Sequence, residues 1–456
     1  MAAEPGHEPA PGIPARAREG SAPGTVPERP ALARTALRLL PFQIVFRGGE
    51  ALWPLLLAAW FGRSPETDLY FLLAALYLFA GSLVTGAFQD SAFIPVLLEV
   101  EARDPTALPR VAGAVLGHTL LAATAIAAAL GTVSGGVLAL TRPAPLSHLA
   151  VALSAGYALW LVALAARSFL VGVLNAHRRF TAHPVAAGAG TAVSIACVAA
   201  LQARLGVAVV PFALLAGELV AAAVLARIAR RQLGLRLRPS LERPDPVPRL
   251  FSLLGFEVLG NSVTRINPVV DQAMAGLSPL VGAGTVLRYA MEVASLPNSV
   301  LQATLYPVLV ARLSLESAAG DLPAFRRTLR RALLGVVGLL ALVTLAIILL
   351  RRPLFRLLFL RGQMDAAGVE RIAELAPYAL AGVPSFGAML VLARAHVALQ
   401  NGRLMFPIGL LNAALNTALD VALFPVLGLP GIALATSLMQ TAVAVALGLR
   451  LRPLLR

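Results

Sequence analysis

From Thr35 onward the chain is a succession of long apolar runs separated by short polar or proline-rich stretches. The runs are continuous, and each approaches or exceeds the roughly 20 mostly apolar residues a helix needs to cross a bilayer. Barrel strands would instead alternate apolar and polar positions over about 10 residues. Spanning helices are therefore predicted near 36–61, 69–98, 109–133, 148–173, 185–203, 206–228, 250–275, 281–310, 328–350, 372–398, 404–423 and 430–449. This pattern gives an all-α polytopic membrane protein with about 12 transmembrane helices. The second and eighth runs are long for one crossing. Gly81, Gly86, Pro95, Pro297 and Pro307 interrupt them, so tilt or a break is expected there.

The stretches between runs organise the rest. Residues 1–34 are rich in Pro, Ala, Glu and Arg without apolar periodicity. They read as a disordered cytoplasmic tail and hold no apolar core of a signal peptide. Residues 230–249 form a basic linker with Pro239, Pro244, Pro246 and Pro248. It divides an N-terminal six-helix lobe, 35–229, from a C-terminal six-helix lobe, 250–456. Two such bundles around a central cavity are the expected architecture. No sequence repeat between the halves is evident.

Composition agrees with a membrane protein. Of 456 residues, 58% are hydrophobic and 13% charged, against roughly 45–50% and about 25% in soluble domains. The net charge of +15 is carried by arginine alone, since the chain has no lysine. Most of that charge sits in short loops, where it sets orientation and does not point to nucleic acid. Arg178 and Arg179, the run from Arg227 to Arg249, Arg326 to Arg331, and Arg450 to Arg456 mark one side; the loops 277–280 and 424–429 carry no charge. Both termini are thus expected in the cytoplasm. The loop 351–371, assigned to the other side, is also arginine-rich, and Pro353–Leu360 within it fits an amphipathic helix in the interface. Cys197 is the single cysteine, so no intramolecular disulfide forms.

Ionisable residues inside the spans are the candidate chemistry, because each costs at least about 2.5–3.5 kcal/mol at the bilayer centre and so faces a cavity or a partner. They are Arg47, Glu50, Asp90, Arg167, Glu218, Glu257, Arg265, Asp271, Arg288, Glu292 and Asp420. Arg47 with Glu50, and Arg288 with Glu292, share a helix face and fit simple ion pairs as well as a polar cavity. In the cavity reading Arg47, Arg265 and Arg288 hold a phosphate, for which the guanidinium fork is suited. Polar neutral residues of the seventh and eighth spans fit a hydrated path or helix–helix hydrogen bonds. His118, alone on an apolar span, reads as a packing residue. Asn412, Asn416 and Asp420 form one stripe of the eleventh span and suit a cation or a helix contact. No hydrolase triad, Cys/His metal spacing, phosphate-binding glycine loop or ATPase module is present. No enzyme, metal or cofactor is therefore expected, and uphill transport would need an ion gradient, the membrane potential or a partner.

Three segments carry a resemblance. They are TDLYFLLAALYLFAGSLVTGAFQDSAFIPVLLE at 67–99, SFLVGVLNAHRRF at 168–180, and VVDQAMAGLSPLVGAGTVLRYAMEVASLPNSVLQATLYPVLVARLS at 269–314. In order and spacing they resemble the MviN/MurJ family, lipid II flippases of the multidrug/oligosaccharidyl-lipid/polysaccharide exporter superfamily, over about residues 40–450. The resemblance implies two six-helix lobes in a V that open alternately to each side of the bacterial inner membrane. It also implies a cluster of N-lobe arginines that meets the substrate diphosphate. Arg47 matches one of these, and Asp68 matches an aspartate that opens the second helix. Trp53, Gly81 and Glu292 stand where the family has further arginines. The family also has two further helices that line a lipid-tail groove. The residues here run to Arg456, after the twelfth span.

The implied activity is flipping of an undecaprenyl-diphosphate-linked saccharide, lipid II or another envelope glycan precursor. The substrate-binding candidates are Arg47, Glu50, Asp68, Glu257, Arg265, Arg288 and Glu292. The candidate ion site is Asn412, Asn416 and Asp420. The partners expected are the lipid-linked saccharide, membrane lipids and envelope-synthesis enzymes. Two alternatives stay open: a cation-coupled multidrug or metabolite exporter using Glu50, Glu257 or Asp420, and a non-transporting envelope scaffold.

Overall fold

A computed structural model describes residues 48–49, 52–89, 93–252 and 265–455. Among them the chain is helical and contains no strand. The helices are α1 (Leu52–Phe61), α2 (Pro65–Gln89), α3 (Phe93–Arg103), α4 (Leu108–Thr141), α5 (Leu146–Ala176), α6 (Ala182–Leu205) and α7 (Val209–Leu233), then α8 (Asn267–Ala275), α9 (Ala283–Ala318), α10 (Leu322–Leu349), α11 (Arg351–Phe359), α12 (Ala366–Leu380), α13 (Val383–Ala398), α14 (Met405–Leu427) and α15 (Leu429–Leu451). Among the described residues eight helical stretches are long and apolar enough to cross a membrane, one of them the α6–α7 hairpin taken together. The pair α12–α13, bent by 41°, makes a ninth. Residues 253–264 of the predicted seventh span and residues 36–47, 50 and 51 of the first lie outside the described residues.

The local sequence explains the breaks. α7 stops at Gly234, whose φ of +68° is the left-handed conformation that ends helices. Asp321 and Asp365 cap α10 and α12, accepting hydrogen bonds from the Ala324 and Gly368 amides. In the long second run the structure describes α2 and α3, and residues 90–92 between them lie outside the described residues. The long eighth run does not break: α9 continues through Pro297 and Pro307 for 36 residues, about 54 Å. Arg351–Phe359 folds as the expected amphipathic helix, α11. Phe355 and Phe359 are buried, while Arg352 and Arg356 reach Glu370.

Helices α2 and α4–α7 pack on one another, and so do α9–α15; α2 meets both α8 and α9. One core runs through both groups. A second lies at one end of α2–α7, built on Phe88, Phe93, Phe169, Val115 and Leu225. The linker docks on this second core. Leu235, Val247 and Leu250 are buried in it. The Ser240 amide donates to Gly113 O at 3.0 Å, and Arg110 pairs with Glu242 at 2.5 Å. Gly113 and Gly117 make room, since a Cβ on either would strike the linker backbone at Arg238 or Ser240.

The α6–α7 crossing is closer still. A Cβ on Gly217 would lie 2.5 Å from Gly190 O and also strike the Ser194 hydroxyl. Backbone cannot yield there as a flexible side chain would. Gly217→Val should cost about 3 kcal/mol or more, seen as loss of a monodisperse detergent-purified protein. A variant with unchanged melting temperature would refute this packing.

Candidate functional site

A cavity of about 960 Å³ lies between the two helix groups. Its walls come from α1, α2, α5, α6, α7 and α9. Trp53 and Pro54 of α1, with Tyr70, Phe71 and Ala74 of α2, form one side. Arg167 of α5, Thr191 and Ser194 of α6 and Glu218 of α7 form another. The last wall is a stripe of α9 running through Arg288, Glu292, Ser295, Ser299 and Thr304. The helical period of 3.6 puts Arg288, Glu292, Ser295 and Ser299 on one face, with Thr304 further round the helix.

Two ion pairs stand on these walls. Arg167 Nε donates to Glu218 Oε2 across α5 and α7, and the side chains are 13% and 16% exposed. Arg288 and Glu292, one turn apart on α9, pair at 2.8 Å with 36% and 28% exposure. Among the described residues the cavity thus holds arginine and glutamate in equal number.

One end is sealed by contacts between the two groups. Asp68 Oδ1 accepts the Thr285 amide and the Thr285 hydroxyl, both at 2.8 Å, and that hydroxyl lies 3.0 Å from Thr67 Oγ1. α9 lacks a side-chain cap of its own at Gly282. Asp68, from α2, therefore supplies a carboxylate to the positive end of α9. Arg63 Nε and Nη2 donate to both oxygens of Asp365, and Nη1 donates to Val281 O. The Arg63 guanidinium holds the Asp365 carboxyl below its usual value. Gly62 and Gly362, with φ of +58° and +59°, let the backbones meet, and the Gln363 amide donates to Ala59 O at 2.8 Å. Beneath this latch Phe71, Tyr289 and Phe359 stack edge to face and tilted, with centroids 5.4 and 5.1 Å apart.

A separate polar cluster is buried between α8 and α14. Asn416 Nδ2 donates to Asp271 Oδ1 at 2.9 Å and to Asp420 Oδ2 at 3.0 Å. Asn267 Nδ2 donates to Asn412 Oδ1 at 2.8 Å. Both carboxylates and all three amides are buried. Among the described residues the oxygens Asn267 Oδ1, Asn416 Oδ1 and Asp420 Oδ1 have no hydrogen-bond partner.

The residues singled out in the sequence thus fall in different places. Arg288 and Glu292 line the cavity, and Asp68 belongs to the latch. Arg265 is exposed and lies outside the lining. Arg47, Glu50 and Glu257 lie outside the described residues. The stripe Asn412, Asn416 and Asp420 faces Asn267 and Asp271. His118 packs against Phe251, with Nδ1 2.9 Å from Ala114 O. Sequence reasoning noted Arg167 and Glu218 as intramembrane charges but did not join them, because 51 residues separate them. Arg63 and Asp365 gave no signal, since both sit outside the apolar runs.

Comparison with known proteins fits this geometry. A probable lipid II flippase MurJ from Rhizobium tropici is 27% identical over 397 residues, covering 83% of this chain and 73% of that one. A solved lipid II flippase MurJ in an inward closed conformation superposes with a TM-score of 0.75 at 18% identity, covering 91% of this chain and 87% of the other. An inward-facing multidrug resistance MATE family transporter of the MOP superfamily gives 0.72 at 11% identity, covering 91% and 94%. At such identities these structures establish a transporter fold. The family model for lipid II flippase MurJ matches residues 57–456, so this multi-pass bacterial inner-membrane protein belongs to the lipid II flippase MurJ family.

Proposed function

We propose that the chain flips a lipid-linked saccharide anchored by a diphosphate, such as lipid II, across the inner membrane by alternating access. The observation that carries this is a cavity of about 960 Å³ that bears two arginine–glutamate pairs and is closed at one end by a latch between the two helix groups. The headgroup occupies the cavity while the prenyl chain stays in lipid. Residues 35–229 and 250–456 act as the two lobes, joined by 230–249. The arginine asymmetry puts 230–249 and both termini in the cytoplasm. The latch at Arg63, Asp68 and Asp365 then seals the periplasmic end, so the cavity faces the cytoplasm, where the substrate is made. Arg288, with Arg47, contributes to diphosphate binding through its guanidinium fork.

The buried set of Asp271, Asn416 and Asp420, with Asn267 and Asn412, serves as a coupling-cation site. Its donors are all oxygen, as a hard cation requires. The same cluster favours a second reading, a cation-coupled exporter of a soluble compound. Proteoliposomes loaded with fluorescent lipid II decide between them. Arg288→Gln should insert normally yet flip at least about tenfold more slowly, the loss expected for one charge-assisted contact. Unchanged flipping by this variant would remove Arg288 from the site. No lipid II flipping by the unaltered protein, with cation-driven efflux of a soluble dye, would establish the exporter.

A further inference from the structure

We infer that Glu218 and Glu292 act as internal stand-ins for the substrate's anion, each yielding its arginine to a phosphate when the cavity fills. This rests on the diphosphate reading above and adds Arg167 to the residues that contact substrate. Two separate walls carry the same device. On one, Arg167 and Glu218 bridge α5 and α7; on the other, Arg288 and Glu292 share α9. All four line the cavity. Described arginines there are therefore neutralised before any headgroup arrives.

A guanidinium removed from water and stripped of its partner is strongly destabilising, whereas exchanging one carboxylate for another oxyanion keeps its fork satisfied. The empty carrier must return through states in which the cavity is shut. A glutamate that re-pairs with the arginine removes that obstacle. The same glutamate competes with the phosphate and so speeds its release. The two pairs divide the work by accessibility. Arg288 and Glu292 are the more open to the cavity and meet the anion first; Arg167 and Glu218 are less exposed and exchange once the headgroup is seated. The i, i+4 spacing on α9 lets Glu292 swing aside without any helix moving. Separation of Arg167 from Glu218 instead loosens α5 from α7, which links occupancy to the shape of this wall.

The test is binding of farnesyl diphosphate to the detergent-purified full chain, with farnesol as the uncharged control. Glu218→Gln and Glu292→Gln should each tighten farnesyl diphosphate binding by about tenfold, by removing a charged competitor. Arg167→Gln should weaken it by about tenfold or more. None should alter farnesol binding. Glu218→Gln should also slow lipid II flipping, because release becomes slow. The double variant Arg167→Gln/Glu218→Gln, which strands no charge, controls for folding: it should melt near the parent and still bind weakly. Changes of opposite sign at the two ends of one ion pair show that both charges act on the bound diphosphate, which a pair remote from the substrate would not do. If the unaltered chain binds farnesyl diphosphate but the glutamine variants bind it equally or more weakly, the exchange is wrong and the substrate class stands. If the unaltered chain distinguishes farnesyl diphosphate from farnesol not at all, the diphosphate reading itself falls.

Discussion

Asp68→Ala should break the seal at the latch end and shift the resting population toward the open form by roughly a hundredfold. Asp68 makes two hydrogen bonds to Thr285 and caps α9 from a neighbouring helix. A hydrogen bond to a charged group contributes about 1.5–3 kcal/mol, and removing the carboxylate also leaves the Thr285 amide without its partner. The loss is therefore about 3 kcal/mol, or two powers of ten in population. Arg63 and Asp365 contribute less despite their bidentate geometry. Their side chains are 20% and 51% exposed, and exposed pairs give about 0–1 kcal/mol. Spin labels at Ser64 and Gln363, read by pulsed electron resonance, should report a longer distance in Asp68→Ala and little change in Asp365→Asn. Equal distances in Asp68→Ala and the parent would show that the latch is held elsewhere.

The pH response follows from the same contacts. Asp365 is held below its usual value when latched, with the Arg63 hydrogen bond as the main cause. Its contribution is complete above the ordinary carboxylate value and disappears as pH falls through the latched one. Its part in the latch should therefore persist from neutral pH down to about pH 4.

The second large effect is expected in the cluster around Asp420. Two buried carboxylates share one amide, and burial of an uncompensated ion costs several kcal/mol. A bound cation would neutralise them and occupy the unpartnered oxygens. At 100 times its dissociation constant a cation adds about 2.7 kcal/mol of stability. The parent should melt several degrees higher in sodium chloride than in choline chloride at equal ionic strength. Asp271→Asn/Asp420→Asn should melt at one temperature in both salts. A difference that survives in the double variant would place the cation elsewhere.

These residues also mark how far the sequence could be read. The spans were legible because continuous apolar runs have no soluble explanation, and α11 because its arginines and phenylalanines alternate with helical period. The continuity of α9 through Pro297 and Pro307 was not legible. A proline removes one backbone donor, but neighbours decide whether the helix breaks. Here Asn298 Nδ2 ties α9 to Val383 O at 3.0 Å. For the site, spacing exposed whatever lies on one helix: Arg288 with Glu292, and the stripe Asn412, Asn416 and Asp420. Spacing could not pair Arg167 with Glu218, Asp68 with Thr285, or Asn416 with Asp271, because those contacts depend on how separate helices are arranged.

The docked linker bears on how this transporter can be divided. A bare tether could be cut anywhere between two bundles without harm to either. Here Leu235, Val247 and Leu250 fill part of a core whose other members come from α2–α7. A gene split at Gly234 would give an N-terminal fragment with an open apolar groove and a C-terminal fragment with an unpaired greasy leader. Split after residue 252, the first fragment keeps its own plug. For co-expressed halves, the unit of assembly thus begins later in the chain than the last N-lobe helix suggests.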